Sequence, residues 1–241
     1  MIRMRSETVE ERPAYVRPVA FVAVPVVVAA SLRPLLENHA AACERERRIV
    51  PAVMEALRAS GLFHITAPER AGGPGHRLTT HIETVAELAK GCVGTAWSYG
   101  LLSGITGTAF ALPPAMTERL FQTGEELFCS ASAPSGKAVA VPGGYRVSGR
   151  WGYGSGCLHA DWALNGVMIE TDAGVEPALA FLDLRDPACS IEDNWHVAGM
   201  AGSGSNMIVA RDLFVPDNLI LWSSRTPPAE AILAMEGLEP R

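Results

Sequence analysis

Residues 144–162 read GYRVSGRWGYGSGCLHADW, and the fold of the chain's second half turns on this stretch. Tyr145, Val147 and Trp151 alternate with polar or small residues, a period of two that predicts a strand over Tyr145–Trp151. Pro142-Gly143-Gly144 just before it is a hairpin turn signal. The same short period, broken by turn residues, predicts further strands at Leu127–Ala133, Lys137–Val141, Trp162–Ile169, Ala178–Leu184, Ser190–Asp193 and Met207–Val215. Upstream of about residue 126 the period is helical. Leu32, Leu35, Leu36, His39, Cys43 and Glu46 trace one stripe, and Ile49, Val53, Met54 and Leu57 continue it around Pro51, which suits the first turn of a helix. Gly61 is a helix stop, and residues 62–75 read as a loop. Thr80-x-x-Glu83 is a capping-box pattern opening a helix to Lys90. Gly94–Leu112 is apolar nearly all round, which predicts a buried helix ended by Pro113-Pro114. A short helix through Gln122 stops at Gly124.

Strands without intervening helices, after a run of helices, predict an α+β chain: a helical N-terminal domain followed by an antiparallel β-barrel or sandwich domain. The expected division is an N-terminal extension over 1–30, the helical domain over 31–125, the β domain over 126–220 and, over 221–241, a tail or the start of a missing C-terminal helical bundle. Val19–Leu32 is almost wholly apolar, but it is too short to span a bilayer and is interrupted by Pro25. It is read as a loosely packed extension rather than an export signal.

The chain has 241 residues, 48% hydrophobic and 19% charged, enough to bury a core without a metal or disulfide staple. Its 20 Lys and Arg against 26 Asp and Glu leave a net charge of −6, with no basic block to neutralise phosphates, so nucleic acid is not an expected partner. Five cysteines without C-x-x-C spacing suit reduced thiols in a cytoplasmic protein. The six histidines show no ligand spacing, so no metal is expected.

Chemistry-bearing residues cluster twice. From Gly149 to Trp162, four glycines, two tryptophans, a tyrosine, a serine and a histidine stand together. Trp151 and Tyr153 can stack on a flat aromatic ligand, and Ser155 adds a hydroxyl that donates and accepts. A barrel corner with glycine kinks and core tryptophans reads equally well. From Trp195 to Asn206, the run WHVAGMAGSGSN makes a glycine-rich loop suited to an anion or amide edge, or a plain surface turn. It lacks the third glycine of a dinucleotide fingerprint and the Lys-Ser/Thr of a P-loop. No G-x-S-x-G elbow and no close carboxylate pair is present.

Four motifs in order resemble the acyl-CoA dehydrogenase superfamily, and in particular its oxygenase branch, the two-component flavin-dependent monooxygenases acting on phenols, heteroaromatics or polyketides. They are Leu57-Arg-Ala-Ser-Gly-Leu-Phe63 with Pro68 and Gly72-Gly73-Pro-Gly75; Gly94-Thr-Ala-Trp97; Gly144–Trp151 followed by Ser155-Gly156 and His159-Ala-Asp-Trp162; and Trp195-x-x-x-Gly199-Met-x-Gly-Ser-Gly-Ser205 followed by Phe214-Val-Pro216. Phe128–Gly136 lacks the T-E-P-x-x-G-S-D-like stretch of the dehydrogenases, which points to the oxygenases. The resemblance implies reduced FAD or FMN, supplied by a separate flavin reductase, and O2 used on an aromatic or polyketide-like small molecule. It implies a catalytic Ser155 near flavin N5 and C4a. It also implies cofactor contacts from Trp151, Tyr153, Gly156, Ser130, Ser132, Gly202, Ser203 and Ser205, with the Gly204 amide, and a substrate side formed by Trp97, Tyr99 and His159. Ala201 stands where the family often has Arg. Family members continue into a C-terminal helical bundle that supplies a catalytic base. No residue here is assigned that role, so a homo-oligomer or a partner carrying the bundle is expected. An acyl-CoA dehydrogenase proper and a non-catalytic remnant or binding module are the competing readings.

Overall fold

A computed structural model of the chain describes residues 24–172 and 174–222. The segment 223–241, including the apolar stretch Ala229–Met235, and the first part of the expected extension, 1–23, lie outside the described residues. Among the described residues, five α-helices come first: α1 (Pro25–Glu46), α2 (Pro51–Ala59), α3 (Leu78–Ala89), α4 (Val93–Phe110) and α5 (Pro114–Leu120). Seven strands follow among them: β1 (Phe128–Val141), β2 (Gly144–Gly154), β3 (Trp162–Thr171), β4 (Gly174–Asp183), β5 (Cys189–Glu192), β6 (Asn206–Pro216) and β7 (Ile220–Trp222).

Proline opens three of these helices. Pro25, Pro51 and Pro114 each sit in a first turn, where a missing N–H costs nothing because the first amides have no intrahelical acceptor. Pro25 therefore opens α1 inside the stretch assigned to the extension, and Ala29 is already buried. α3 begins at Leu78, two positions before Thr80, and makes no side-chain cap; the capping-box pattern is not used. Thr80 instead lies inside the helix, where its carbonyl accepts the Thr84 hydroxyl.

The strands form one sheet in the order β5-β6-β2-β1-β3-β4-β7. All neighbours are antiparallel except β1 and β3, which run parallel. The α+β class holds, with the sheet open at β5 and β7 rather than closed into a barrel. The two strands expected at Leu127–Ala133 and Lys137–Val141 are one, β1, kinked by a register shift between Ala131 and Gly136. The buried Asn165 side chain accepts the Ala131 N–H at 2.9 Å, so the bulge leaves no orphaned amide there. β7 gives no period-two signal because it is only three residues long.

An aromatic chain ties the helices to the sheet. Phe110 stacks on Phe121 at 3.9 Å between centroids, Phe121 tilts onto Phe128 at 5.0 Å, and Phe128 meets Phe181 edge-on at 6.0 Å. At the junction the buried Glu126 carboxylate accepts the amides of Gln122, Thr123 and Gly124, closing the turn between α5 and β1. Among the described residues, no helix is long and apolar enough to cross a membrane.

Trp151 is built into the sheet itself. A Cβ on Gly136 would stand 2.2 Å from its ring, and one on Gly149 would stand 2.6 Å away. The ring is also pinned by a 2.7 Å bond from Nε1–H to the Gly166 carbonyl, so it cannot yield. Gly136→Ala is therefore expected to destabilise the chain by about 1–3 kcal/mol through overpacking. A urea unfolding midpoint unchanged from wild type would show that the ring relaxes.

Candidate functional site

α4, the end of β2 and the glycine-rich turn 199–205 converge on one cleft of ≈ 360 Å³. Trp97, Leu101, Tyr153, Trp195, Val197 and Met200 supply its apolar walls, and Ser155, Ser203 and Ser205 its polar edge. Such a volume lies at the small end of ligand pockets, which run from about 300 to 1,000 Å³.

Local backbone geometry aims these groups. At the end of β2, Tyr153 takes a φ of 62° and Gly156 a φ of 74°. The left-handed residue at Tyr153 is unusual for a bulky side chain. It turns Tyr153 outward, 76% exposed, and Ser155 inward, 4% exposed. Gly156 packs on α4 where a Cβ would be 2.9 Å from Leu102. Tyr153 meets Trp195 edge-on at 5.8 Å, forming the aromatic lip of the cleft.

The three serines form a chain of hydroxyls. Ser155 Oγ lies 2.7 Å from Ser205 Oγ, which lies 2.8 Å from Ser203 Oγ. Trp97 Nε1–H donates to Ser155 Oγ at 3.0 Å. Indole only donates, so one lone pair of Ser155 is committed. When the chain runs Ser203 to Ser205 to Ser155, the second lone pair is filled too, and the Ser155 proton has no acceptor among the described residues. It then presents one preset donor to a ligand.

The turn that carries Ser203 and Ser205 is held from α1. Glu44 Oε2 accepts the Ala201 N–H at 2.9 Å, and Oε1 accepts the Gly202 N–H at 3.0 Å. Ser98 Oγ donates to the Ser203 carbonyl at 2.9 Å, and the Gly156 amide donates to the same oxygen at 3.2 Å. Trp195 Nε1–H reaches the Met200 carbonyl at 3.3 Å. Asn206 Oδ1 takes the amides of Asn194 and Trp195.

Of the expected site residues, Ser155, Ser203, Ser205, Tyr153 and Trp97 meet at the cleft. Several do not. Trp151 is 1% exposed and hydrogen-bonded inside the sheet, so no ligand can stack on it. The Gly202 amide is taken by Glu44 and the Gly204 amide by the Ala201 carbonyl, so the turn has no free amides there for an anion. Tyr99 is fully buried, its hydroxyl donated to the Leu62 carbonyl. Ser130 donates to the Leu164 carbonyl within the β1–β3 ladder, and Ser132 is exposed on β1 beyond the cleft lining. Gly156 serves packing against α4. His159 lies away from the cleft; burial first, then the charges of Arg48 and Arg58, hold its pKa down to about 4.

Glu44, Val197 and Leu101 have no place among the residues the sequence assigns to the site, and Trp195 and Met200 enter there only as motif positions. Leu101 stands one helical turn after Trp97, a spacing that could have flagged it. Trp195 opens the second glycine cluster. Glu44 had no local signal, being 157 positions from its partner. The α4 stripe also departs from an all-round buried helix: Val93, Trp97 and Leu101 are 55%, 52% and 36% exposed. Among the described residues, no group of three or more His, Cys, Asp or Glu is arranged to hold a metal ion.

Residues 27–112 match the family model of the acyl-CoA dehydrogenase N-terminal domain. The FADH(2)-dependent resorcinol hydroxylase, oxygenase component, of Rhizobium sp. is 35% identical over 214 residues, covering 87% of this chain and 52% of that protein. The oxygenase subunit HsaA of a flavin-dependent monooxygenase from Rhodococcus jostii is 34% identical over 193 residues, covering 79% and 50%. Among solved structures, 3-HSA hydroxylase from Rhodococcus sp. RHA1 superposes with a TM-score of 0.79 at 30% identity, over 90% of this chain and 56% of that one. XiaF from Streptomyces sp., in complex with FADH2 and glycerol, gives a TM-score of 0.78 at 30% identity, over 88% and 57%. The chain thus spans about half the length of the curated relatives it matches.

Two predictions follow from the geometry. Glu44→Ala strands two amides and is expected to cost about 1–3 kcal/mol for each that stays buried, with Glu44→Gln intermediate because it keeps one acceptor. Equal urea midpoints for both variants and wild type would show that the turn holds itself. His64, like His159, is half-buried, and desolvation lowers its pKa from 6.5 to about 4. The unfolded chain then binds more protons between those values. Their contribution to stability is complete above pH 6.5 and is lost as pH falls toward 4, at up to about 1.4 kcal/mol per pH unit per group. Urea midpoints at pH 7 and 5 should differ less in a His64→Gln, His159→Gln double variant.

Proposed function

This chain belongs to the acyl-CoA dehydrogenase superfamily, in its flavin-dependent oxygenase branch, and from that premise we propose that it forms the flavin- and substrate-facing part of a monooxygenase that hydroxylates an aromatic or polyketide-like small molecule. The observation that carries the reading is the cleft: aromatic walls from Trp97, Tyr153 and Trp195 beside a linked row of hydroxyls. A flat heteroaromatic ring with polar atoms along one edge matches that arrangement. The fit is to the ring; among the described residues, no cationic side chain lines the cleft to meet a phosphate.

Reduced FAD or FMN, delivered by a separate reductase, would supply the activation of O2. The chain's own residues do the rest. Trp97 and Trp195 would give the ring apolar surface and help to exclude water. Trp97 also fixes Ser155, because its N–H occupies one lone pair of the hydroxyl. Ser205 fills the other when Ser203 donates in turn, leaving the Ser155 proton to stabilise negative charge on a ligand oxygen or nitrogen. That preset donor needs no reorganisation when charge develops.

Trp97 and Leu101, which line the cleft, continue with Val93 as one exposed stripe along α4. We assign it to contact with a second copy of the chain or with a partner polypeptide. The free thiols Cys43, Cys92, Cys129, Cys157 and Cys189 suit a cytoplasmic setting.

Anaerobic titration with reduced FMN and reduced FAD should quench the fluorescence of the cleft tryptophans. A flat titration with both flavins would overturn the reading. Ser155→Ala should weaken binding several-fold, in line with about 0.5–1.5 kcal/mol for one hydrogen bond. It should also lower the hydroxylated product formed per flavin oxidised. An unchanged ratio would remove Ser155 from its role.

A further inference from the structure

The end of α1 grips the wall of the cleft at two places. Glu44 holds the amides of Ala201 and Gly202, and Arg47, three positions on, holds the stretch that leads into them. Arg47 caps α1 with a φ of 53°, and its carbonyl lies so close to the glycine-rich turn that a Cβ on Gly204 would stand 2.9 Å from it. From this fixed point the guanidinium reaches across to the segment after β5. Nη2–H donates to Asp193 Oδ2 at 2.6 Å, and Nη1 lies 2.8 Å from Nε2 and 3.0 Å from Nδ1 of His196. Between these two partners stands Trp195, an apolar wall of the cleft.

A guanidinium only donates, so its bond to His196 needs an imidazole nitrogen with a free lone pair. Neutral imidazole has one such nitrogen in either tautomer, and here both ring nitrogens stand within reach of Nη1. Imidazolium has none. A protonated His196 would also set its charge against that of Arg47 and be drawn to Asp193, whose Oδ1 is 3.9 Å from Nε2. The Arg47 guanidinium holds the Asp193 carboxyl below the usual carboxylate range, so that charge stays in place. Arg47 from the end of α1 and Asp193 from the segment itself face the imidazole, and Glu46 and Arg48 line the ≈ 250 Å³ cavity beside Arg47 and Asp193. Beyond His196 the wall is loosely packed: Val197, Ala198 and Gly199 are exposed, and a Cβ on Gly199 would meet nothing within 4 Å.

We propose that Arg47 is a positioning residue for the cleft: it latches the Trp195 wall in place through neutral His196, and protonation of His196 releases the wall. With the latch closed, Trp195 stays edge-on to Tyr153 and the amides of Asn194 and Trp195 stay on Asn206 Oδ1. With it open, the segment swings between its anchors at Asp193 and Ala201, those two amides lose their acceptor for part of the time, and the cleft loses an aromatic wall. The inference rests on the flavin reading only for what fills the cleft. The latch itself is a property of the free chain.

The test reads the latch first without a ligand and then with one. Hydrogen exchange of the purified chain is followed at about pH 8 and pH 5, the range over which imidazole changes charge, as protection relative to an unstructured peptide at the same pH. Protection at Asn194 and Trp195 should be several-fold lower at pH 5 in wild type. His196→Gln keeps an oxygen acceptor but does not titrate, and should hold the pH 8 protection at both values. Arg47→Ala should show the low protection at both. No fall in wild type, an equal fall in His196→Gln, full protection in Arg47→Ala, or a fall of the same size across β1, β2 and β3 would each overturn the latch. Reduced FMN and reduced FAD are then titrated into the same proteins. Wild type should lose several-fold more affinity between pH 8 and 5 than His196→Gln, which shares any titration of the flavin itself. Equal losses in the two would overturn the coupling of the latch to the cleft. Wild type that binds neither flavin at pH 8 would overturn the flavin reading and not the latch, which the exchange decides.

Discussion

One carboxylate from the helical half holds the turn on which the cleft depends. Glu44 accepts two backbone amides of the glycine-rich turn from 157 positions away, at 2.9 and 3.0 Å. Without it, two buried donors would be left unpaired, a costly state in a partly desolvated turn. With it, the turn is fixed against α1, and Ser203 and Ser205 line up with Ser155. The glycines at 94 and 202 let the backbones approach this closely, because each would place a Cβ 3.1 to 3.3 Å from its neighbours.

The same contact explains why the glycine-rich run is not an anion cradle. A glycine loop exposes amides, and exposed amides attract anions. Here the anion is already present, as a side chain of the same molecule. What the turn offers to a ligand is hydroxyl oxygens and an aromatic edge, which suits a neutral or weakly charged ring better than a phosphate.

The sheet has its own organising residue. Trp151 fills the space between Gly136 and Gly149 and bonds to the Gly166 carbonyl, so strands β1, β2 and β3 close around a single indole. A residue of that size, buried and pinned, fixes where β2 can end. That end places Ser155 beside Trp97 of α4, while the aromatic chain from Phe110 to Phe181 holds the helices in register with the sheet. Site and core are therefore one packing problem, since a shift of the sheet relative to α4 breaks the Trp97–Ser155 bond.

Local pattern was enough for much of this. The change from helical to two-residue period near 126, the proline that opens α2, the turn at Pro142-Gly143-Gly144 and the two glycine clusters that carry Ser155, Ser203 and Ser205 are all legible in the chain, because each depends on neighbours within a few positions. Trp151 could be read either as a ligand platform or as a core residue, and only the close approach of Gly136 decided for the core. The free amides expected at Gly202 and Gly204 were lost to Glu44 and to the turn itself. The direction of His159 and the burial of Tyr99 were likewise set by what packs against them. Sequence alone determined the elements and the chemistry available, since propensity and periodicity act over short spans. Which groups face the cleft, and which are spent on holding it, was decided by contacts between distant segments, whose pairing no local pattern encodes.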